Sequence, residues 1–299
     1  MAEPPLDRVA KALDLAAEAG RRAGLESAGG KVLRVRSSIH VELPQADVVA
    51  RIEDPGGHEL ALRQVLVARA LAARDAPVAR LVRPEIQPIL IDDCAVTLWR
   101  RIRSVTTPTL EAVGRAVRAI HDTTAKSPPG SVPTIDPFAQ VRAFLRSPSV
   151  WSGSSAIVEL LEYNDELAAR WREESADDPL GTVLVHGDPH ADNAIVSEDG
   201  LVLIDLEDAG IGPASWDFAP LAVAVERYGV PQEEFQRFAA GYGAEPGDWP
   251  GHALMCRVYE LNVTAWAIRC SVDSPRMAGE AAVRISGLLD GDPTGWTLL

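Results

Sequence analysis

The spacing of apolar residues divides the chain into a strand-rich first third and a helix-rich remainder. Apolar positions at helical spacing predict an amphipathic helix over residues 6–24 and a second long helix over 59–73. Short apolar runs bounded by turn residues predict strands over 32–36, 39–43, 48–52, 78–82, 86–91 and 94–99. The first third therefore combines several short strands with two helices.

Helical spacing dominates the rest of the chain. Thr109 is a predicted helix N-cap, because its side-chain oxygen can accept a hydrogen bond from a backbone N–H of the first turn. Predicted helices cover 109–121, 137–145, 154–171, 231–242, 250–269 and 275–289, and another begins at 216–219. Residues 183–204 are the exception. Three apolar runs there predict one strand followed by a hairpin, whose turn is Glu198-Asp199-Gly200.

Oxygen-bearing side chains follow the predicted strands of this exceptional segment. The first strand ends at His186-Gly187-Asp188-Pro189, where glycine and proline prevent a central strand from continuing. Asn193 precedes the hairpin and Asp205 follows it, so Asp188, Asn193 and Asp205 are expected at one edge of a small sheet. Phosphoryl transfer needs such a set, because one carboxylate orients the attacking hydroxyl while an amide oxygen and a second carboxylate hold magnesium.

Three ordered motifs extend this pattern: His186-Gly187-Asp188 with Asn193 five residues after the aspartate, Ile204-Asp205-x-Glu207, and Gly212-x-x-x-x-Asp217-x-Ala219. In these motifs the chain resembles the aminoglycoside phosphotransferase and choline kinase family. The resemblance implies a protein-kinase-like α+β fold of two lobes, the first an antiparallel sheet plus a helix and the second mostly helical. The N-terminal nucleotide-binding lobe would cover 1–98, the hinge 99–102, and the C-terminal catalytic and substrate-binding lobe 103–299.

The resemblance also implies the reaction, which is transfer of the γ-phosphate of ATP or GTP to a hydroxyl group of a small molecule. Asp188 would be the catalytic residue, and Asn193 and Asp205 would be ligands of Mg²⁺. Supporting positions of the family match His186, Glu207 and Asp217. In the family, the aspartate at the place of Asp217 fixes the catalytic loop by accepting its backbone N–H groups.

The nucleotide-binding positions depart from the family pattern at two places. Arg51 lies where the third strand of a kinase supplies a lysine to the α- and β-phosphates, and arginine there keeps the positive charge. Gln64 lies where a helix glutamate anchors that lysine, with Glu59 one turn earlier as the alternative anchor. The other positions matched to nucleotide binding are the turn residues Ser37 and Ser38 and the hinge residues Trp99 and Arg101.

Other classes of function remain open for the same residues. His186, Asp188 and His190 alternate, so two imidazoles and a carboxylate could bind zinc in a metal hydrolase. The departures at Arg51 and Gln64 are consistent with a nucleotide-binding pseudo-kinase without transfer activity. A metabolite kinase for choline or a sugar is a further alternative. A protein kinase is disfavoured, because Asp-Leu-Glu replaces the Asp-Phe-Gly that opens an activation segment.

Net charge narrows the choice of partners. The chain has 43 acidic residues against 29 lysines and arginines, a formal net charge of -14. This charge disfavours nucleic acid and anionic membrane surfaces, and it either attracts a cationic substrate or simply confers solubility. The family resemblance suggests an aminoglycoside or another cationic antibiotic as the substrate. Glu260, in the apolar helix 254–268, could contact a substrate amine, and internal pairing with Arg257 is the alternative.

Cysteine usage and the N-terminus indicate the compartment. Cys94, Cys256 and Cys270 are odd in number and lie in apolar runs, which predicts buried thiols and neither a disulfide framework nor a zinc site. The first residues lack the basic start and apolar block of a signal peptide, and no apolar run is long enough to span a bilayer. A cytoplasmic protein that is a monomer or a weak homodimer is therefore expected.

Overall fold

The structure, a computed structural model, describes residues 6–35, 38–125, 128–247, 249–272, 274–292 and 294–297. Contacts divide the chain into two compact units. The first comprises Met1–Pro108, Pro129–Pro133 and Ala191–Gly210, and the second comprises Thr109–Pro128, Thr134–His190 and Ile211–Leu299. The two lobes with a hinge at 99–102 stay a prediction. The division by contacts continues the first unit to Pro108 and adds Pro129–Pro133 and Ala191–Gly210 to it.

The first unit is built on an antiparallel five-stranded sheet in the order β1-β2-β3-β5-β4. Its elements are α1 (Leu6–Arg22), β1 (Lys31–Val35), β2 (Ser38–Leu43), β3 (Val48–Glu53), α2 (His58–Ala72), β4 (Ile89–Ile91) and β5 (Cys94–Arg100). The small residues Ala12, Ala16 and Ala19 form the buried stripe of α1 and pack in one core cluster with Val41 and Leu43 of β2. The helical and alternating apolar patterns of the sequence therefore meet at this interface.

Two predicted strands of the first unit need correction. Residues 78–82 form only isolated bridges, from Val78 to Leu203 and from Leu81 to Trp99. The strand predicted over 86–91 is shortened to Ile89–Ile91 and is preceded by a 3₁₀ turn over Pro84–Ile86. Proline explains the shortening, because Pro84 and Pro88 have no N–H group with which to join a strand ladder.

The predicted hairpin forms and belongs to the first unit. Its strands are β7 (Ala194–Ser197) and β8 (Gly200–Leu203), which follow a 3₁₀ turn over Ala191–Asn193. Backbone hydrogen bonds attach both strands to the N-terminal part of the same unit. The N–H of Ala79 donates to the carbonyl of Leu203 at 3.0 Å, and the N–H of Val105 donates to the carbonyl of Val196 at 2.8 Å.

The second unit is mostly helical and contains the short strands β6 (Thr182–Val185) and β9 (Gly210–Pro213), which pair with each other. Its helices are α3 (Leu110–Thr124), α4 (Pro137–Arg146), α5 (Ser155–Glu174), α6 (Ala219–Tyr228), α7 (Gln232–Tyr242), α8 (Pro250–Cys270) and α9 (Pro275–Leu289). Helix α8 packs against α4, α5, α6 and α9, so it forms the centre of this unit. Its leucines, Met255 and Val258 belong to the core.

Details of the second unit agree with the local patterns of the sequence. Thr109 caps α3 by accepting a hydrogen bond from the N–H of Ala112 at 3.2 Å, as predicted. None of the three cysteines is in a disulfide. The predicted burial is right for Cys94 of the first unit, whereas Cys256 and Cys270 are only partly buried. None of the helices within the described ranges has the length and apolar character of a membrane span. The sheet with helices in the first unit and the helical second unit confirm the α+β class.

Candidate active site

The loop that carries Asp188 is fixed by its backbone. The buried strand β6 leads into it, and Gly187 adopts a φ of 93°, a left-handed conformation that favours glycine. The carboxylate of Asp217 holds the loop, since Oδ2 accepts the N–H of His186 at 2.8 Å and Oδ1 accepts the N–H of Gly187 at 2.7 Å. Asp217 is buried, so these two N–H groups compensate the loss of water around its charge.

A third hydrogen bond completes the surroundings of Asp217. Nε2 of the buried His121 lies 2.9 Å from Asp217 Oδ2, and Nδ1 of the same ring lies 2.9 Å from the hydroxyl of Tyr242. Burial raises the pKa of Tyr242 well above its ordinary value, so its hydroxyl stays protonated. This chain of contacts orients the Asp217 carboxylate, which in turn holds the loop of Asp188.

Both oxygens of the Asp188 carboxylate are engaged by side chains of the second unit. The hydroxyl of Tyr259 in α8 donates to Oδ1 at 3.0 Å, and Nε2 of His190 lies 3.1 Å from Oδ2. Burial alone would raise the pKa of Asp188, but the hydrogen bonds from His190 and Tyr259 and the charge of His190 bring it below its ordinary value. Asp188 is therefore ionised near neutral pH and can accept a hydrogen bond from a hydroxyl group.

The candidate metal ligands lie in the first unit, at the open end of the β7–β8 hairpin. The N–H of Ile204 donates to the carbonyl of Asn193 at 2.9 Å, which joins the residue before β7 to the residue before Asp205. Asp205 has a φ of 64°, in the left-handed region that non-glycine residues rarely adopt. The hairpin thus keeps Asn193 and Asp205 at the same end, as the sequence predicts. The single sheet edge predicted for Asp188, Asn193 and Asp205 together is wrong, because β6, which leads to Asp188, pairs with β9 in a different sheet from β7 and β8.

Arg51 of β3 is the central cation of the first unit. Its Nη1 donates to Asp205 Oδ1 at 2.5 Å, and its Nη2 donates to Glu207 Oε2. Burial disfavours the charge, but Glu207, Asp205 and Glu53 together raise the pKa of Arg51 above its ordinary value. Burial raises the pKa of Glu207 to about 6, although the charge of Arg51 acts in the opposite direction. Arg51 therefore holds two carboxylates that follow the hairpin.

The residue that anchors Arg51 is Glu53, which the sequence-based interpretation missed. Nε of Arg51 donates to Glu53 Oε1 at 2.6 Å, and Nε2 of Gln64 donates to the same oxygen at 3.1 Å. Glu59 is exposed at the start of α2. Gln64 thus supports the anchor through Glu53, and Glu53 supplies the charge. The available signal was the spacing Arg51-x-Glu53, because residues two apart in a strand share one face.

The other predicted nucleotide-binding residues take part in contacts of the sheet. Ser38 is buried, and its hydroxyl lies 3.3 Å from Nε2 of His40. Trp99 lies inside β5 and donates from its indole to the Thr97 hydroxyl at 2.8 Å. The N–H of Arg101 donates to the carbonyl of Asp47 at 3.0 Å, and its side chain pairs with Glu42. Contacts of these residues with a nucleotide stay a prediction, and Ser37 lies outside the described residues.

Glu260 requires a correction. Its side chain has no exposed surface, and its two oxygens pair with Arg227 Nε at 2.5 Å and with Arg257 Nη1 at 2.8 Å. A carboxylate so occupied by two arginines has no oxygen directed to solvent, so we do not retain it as a contact for a substrate amine. The internal pairing with Arg257, considered from the helical spacing, is present and is extended by Arg227 of α6.

The oxygens around Arg51 match the ligand preference of Mg²⁺. Carboxylate and amide oxygens are hard ligands, and Asp205 and Glu207 already converge on one cationic group. Three carboxylates, those of Glu53, Asp205 and Glu207, surround one guanidinium, so two negative charges are in excess. A divalent cation would balance this excess. Asn193 and Asp205 therefore fit a magnesium site by chemistry and by position on the hairpin.

The zinc interpretation receives no such support. Within the described ranges, no group of three or more histidine, cysteine, aspartate and glutamate side chains is arranged to hold a metal ion, and this applies to the carboxylates around Arg51 as well as to zinc. His186 is fully buried, and its Nδ1 accepts the backbone N–H of Asp188 at 3.3 Å. His190 pairs with Asp188. The alternation of these three residues therefore serves the geometry of the loop.

The antiparallel sheet of the first unit and the helical second unit place the chain in the kinase-like class. The chain belongs to the phosphotransferase enzyme family, whose family model matches residues 35–255. As a member, it is a phosphotransferase that uses a hydroxyl group as acceptor. A search of curated proteins gives no match.

Solved structures show the same fold at low sequence identity. The amicoumacin kinase hAmiN, in complex with AMP-PNP, Ca²⁺ and Ami, is 15% identical with a TM-score of 0.70, and the match covers 97% of this chain and 98% of that one. Aminoglycoside phosphotransferase APH(3'')-Id from Streptomyces rimosus is 20% identical with a TM-score of 0.62, over 86% and 99%. A choline/ethanolamine kinase family protein from Mesorhizobium loti is 17% identical with a TM-score of 0.62, over 94% and 93%. The kinase-like fold inferred from the motifs is confirmed.

Proposed function

We propose that this protein transfers the γ-phosphate of ATP or GTP, with Mg²⁺, to a hydroxyl group of a cationic small molecule. The observation that carries the proposal is the placement of Arg51 between Glu53 and the two carboxylates that follow the hairpin. In a phosphotransferase this arginine would meet the nucleotide phosphates, and the carboxylates that follow the hairpin would face a divalent cation.

Each residue contributes a separate step. Asp188 is ionised and accepts the hydrogen of the acceptor hydroxyl, which orients the oxygen for attack on the γ-phosphorus. Asn193 and Asp205 hold the metal, whose charge offsets that of the phosphates when it is bound. Arg51 grips phosphate oxygens with the Nη groups that it now directs to Asp205 and Glu207. Asp217 keeps the backbone of the Asp188 loop in place.

Two observations bear on the identity of the substrate, the net charge of the chain and the substrates of the similar structures. A formal net charge of -14 attracts cations, and the similar structures include kinases of amicoumacin, an aminoglycoside and choline. These relatives favour a cationic antibiotic, and a metabolite such as choline or a sugar is the second candidate. A pseudo-kinase that binds nucleotide without transfer is the third. Fold alone does not decide among them.

Nucleotide consumption by the purified protein tests the proposal. ATP and GTP are each supplied with Mg²⁺ and with aminoglycosides, choline-like amines or neutral sugars, and the phosphorylated product is identified by mass. We expect transfer to at least one cationic acceptor and a loss of about 100-fold or more in Asp188→Asn. A neutral sugar as the sole acceptor contradicts the cationic assignment. Nucleotide binding without transfer to any acceptor supports the pseudo-kinase.

A further inference from the structure

Tyr259 is the residue of α8 that reaches the catalytic carboxylate. Its hydroxyl donates to Oδ1 of Asp188 at 3.0 Å, while His190 lies 3.1 Å from Oδ2. His190 belongs to the same loop as Asp188, so it moves with that loop. Tyr259 is 71 residues away in sequence, and it is the contact that ties the orientation of the carboxylate to the core helix of the second unit.

An aromatic series holds the ring of Tyr259. Trp216 meets it edge-on with centroids 6.1 Å apart and planes at 68°, and Trp171 of α5 meets Trp216 at 5.4 Å and 85°. Such edge-to-face pairs stabilise one ring orientation. Trp216 directly precedes Asp217, the residue that holds the loop backbone. One 3₁₀ turn, Ala214–Phe218, therefore supports both the backbone of the Asp188 loop and the phenol that contacts its side chain.

Helix α8 is fixed at the residue after Tyr259. Glu260 is fully buried and pairs with Arg227 of α6 and Arg257 of α8. A buried carboxylate with two partners resists rotation of the helix, because any rotation would leave a buried charge unpaired. The direction in which Tyr259 leaves the helix is set by this ion-pair cluster as well as by Trp216.

We propose that Tyr259 is a positioning residue that aligns the Asp188 carboxylate for the acceptor hydroxyl. This inference rests on the proposed function. Tyr259 and His190 each hold one oxygen of the carboxylate, which fixes the plane of the group. In the transfer, the acceptor oxygen bonds to the γ-phosphorus, the bond to the β-phosphate oxygen breaks, and the hydroxyl proton passes to Asp188. A fixed carboxylate plane keeps the acceptor in line with that phosphorus.

Tyr259→Phe tests the role, because it removes the hydroxyl and keeps the ring against Trp216. We expect kcat to fall about tenfold, the strength of one hydrogen bond to a charged group, with the KM for ATP and the melting temperature unchanged. Tyr163→Phe is the matched control, since it removes the hydroxyl of another partly buried tyrosine, in α5. The proposal is overturned if Tyr163→Phe lowers kcat by the same factor, or if Tyr259→Phe lowers the melting temperature together with kcat.

A double-mutant comparison separates positioning from a direct contact with substrate. If Tyr259 acts through Asp188, Tyr259→Phe has no further effect on the residual kcat of Asp188→Asn. The same fold-loss in both backgrounds overturns the inference, because it would mean that Tyr259 acts independently of the carboxylate.

A titration that needs no substrate keeps the inference separate from the proposed function. The pKa of Asp188 is measured from its carboxyl ¹³C shift, assigned by comparison with Asp188→Asn. His190, Tyr259 and His186 act on this carboxyl, and Tyr228 also interacts with its charge. Loss of a donor to the ionised form must raise the pKa of Asp188 in Tyr259→Phe. An unchanged pKa overturns the positioning role, whereas a raised pKa in a protein without transfer activity contradicts only the proposed function.

Discussion

The Oε1 atom of Glu53 accepts hydrogen bonds from two directions, from Nε of Arg51 at 2.6 Å and from Nε2 of Gln64 at 3.1 Å. Arg51 and Glu53 lie two residues apart on β3, so their side chains leave the same face of the strand. In the family pattern, the negative partner of this cation comes from the helix. Here the charge lies on the strand, and the helix contributes a neutral amide that holds it in place.

The first prediction is that a negative charge on the helix can replace the one on the strand. Glu53→Gln should weaken binding of the ATP analogue AMP-PNP with Mg²⁺ by about tenfold, because Arg51 loses a buried charged partner at Nε. The double variant Glu53→Gln with Gln64→Glu should recover most of that loss, since it restores a negative charge on the neighbouring side chain, whose amide now lies 3.1 Å from Glu53 Oε1. Calorimetry measures both affinities. A double variant that is weaker than the single one would show that Gln64 does not share the anchor site.

The second prediction concerns Asp205, the proposed metal ligand. Asp205→Ala should abolish the part of nucleotide affinity that depends on Mg²⁺, because a carboxylate that binds the cation directly is lost. AMP-PNP binding is measured with Mg²⁺ and with EDTA in both proteins. Glu42→Ala is the comparison, since it removes a carboxylate of the five-stranded sheet that pairs with Arg101. Equal gains from Mg²⁺ in wild type and Asp205→Ala would contradict the assignment.

The ion-pair cluster of Glu260 leads to the third prediction. Glu260→Ala should lower the free energy of unfolding by about 3 kcal/mol or more, because Arg227 is left largely buried without its partner. The exposed pair of Arg118 and Asp122 in α3 is the control, and Asp122→Asn should cost less than about 1 kcal/mol. Urea denaturation measures both changes. Similar costs in the two variants would mean that burial of the cluster adds nothing to stability.

The sequence predicts the elements that depend on local chemistry. The N-cap of α3, the β7–β8 hairpin and the proline-led helices α4, α8 and α9 follow from residues within a few positions of one another. The contact of Tyr259 with Asp188 spans 71 residues and depends on how α8 packs. Periodicity in α8 cannot reveal it, because the helix is apolar on several faces. The pairing of Glu53 with Arg51 could have been predicted from their spacing on one strand, but the family pattern indicated a partner on the helix.

Residues 78–82 are a case in which local composition predicts a strand that does not form. Their apolar and β-branched composition predicts a strand, yet they form only isolated bridges. The N–H of Val82 donates to the carbonyl of Leu98 at 2.9 Å, and the N–H of Ala79 donates to the carbonyl of Leu203 at 3.0 Å. The segment therefore divides its hydrogen bonds between β5 and β8. Local propensity cannot anticipate such a division, because it depends on which strands lie on either side.

His40 of β2 gives the final prediction, which concerns stability against pH. Burial, and then the charge of Arg51 opposite it on β3, lower the pKa of His40 to about 4 from 6.5. Between these values the unfolded chain binds more protons than the folded chain, so stability must fall as pH falls. From pH 7 to pH 5 this loss is about 2 kcal/mol. His40→Gln should remove that part of the pH dependence, whereas His58→Gln, at an exposed position in α2, should retain it. Denaturant titrations of the three proteins at both pH values decide the matter, and parallel curves for wild type and His40→Gln would contradict the assignment.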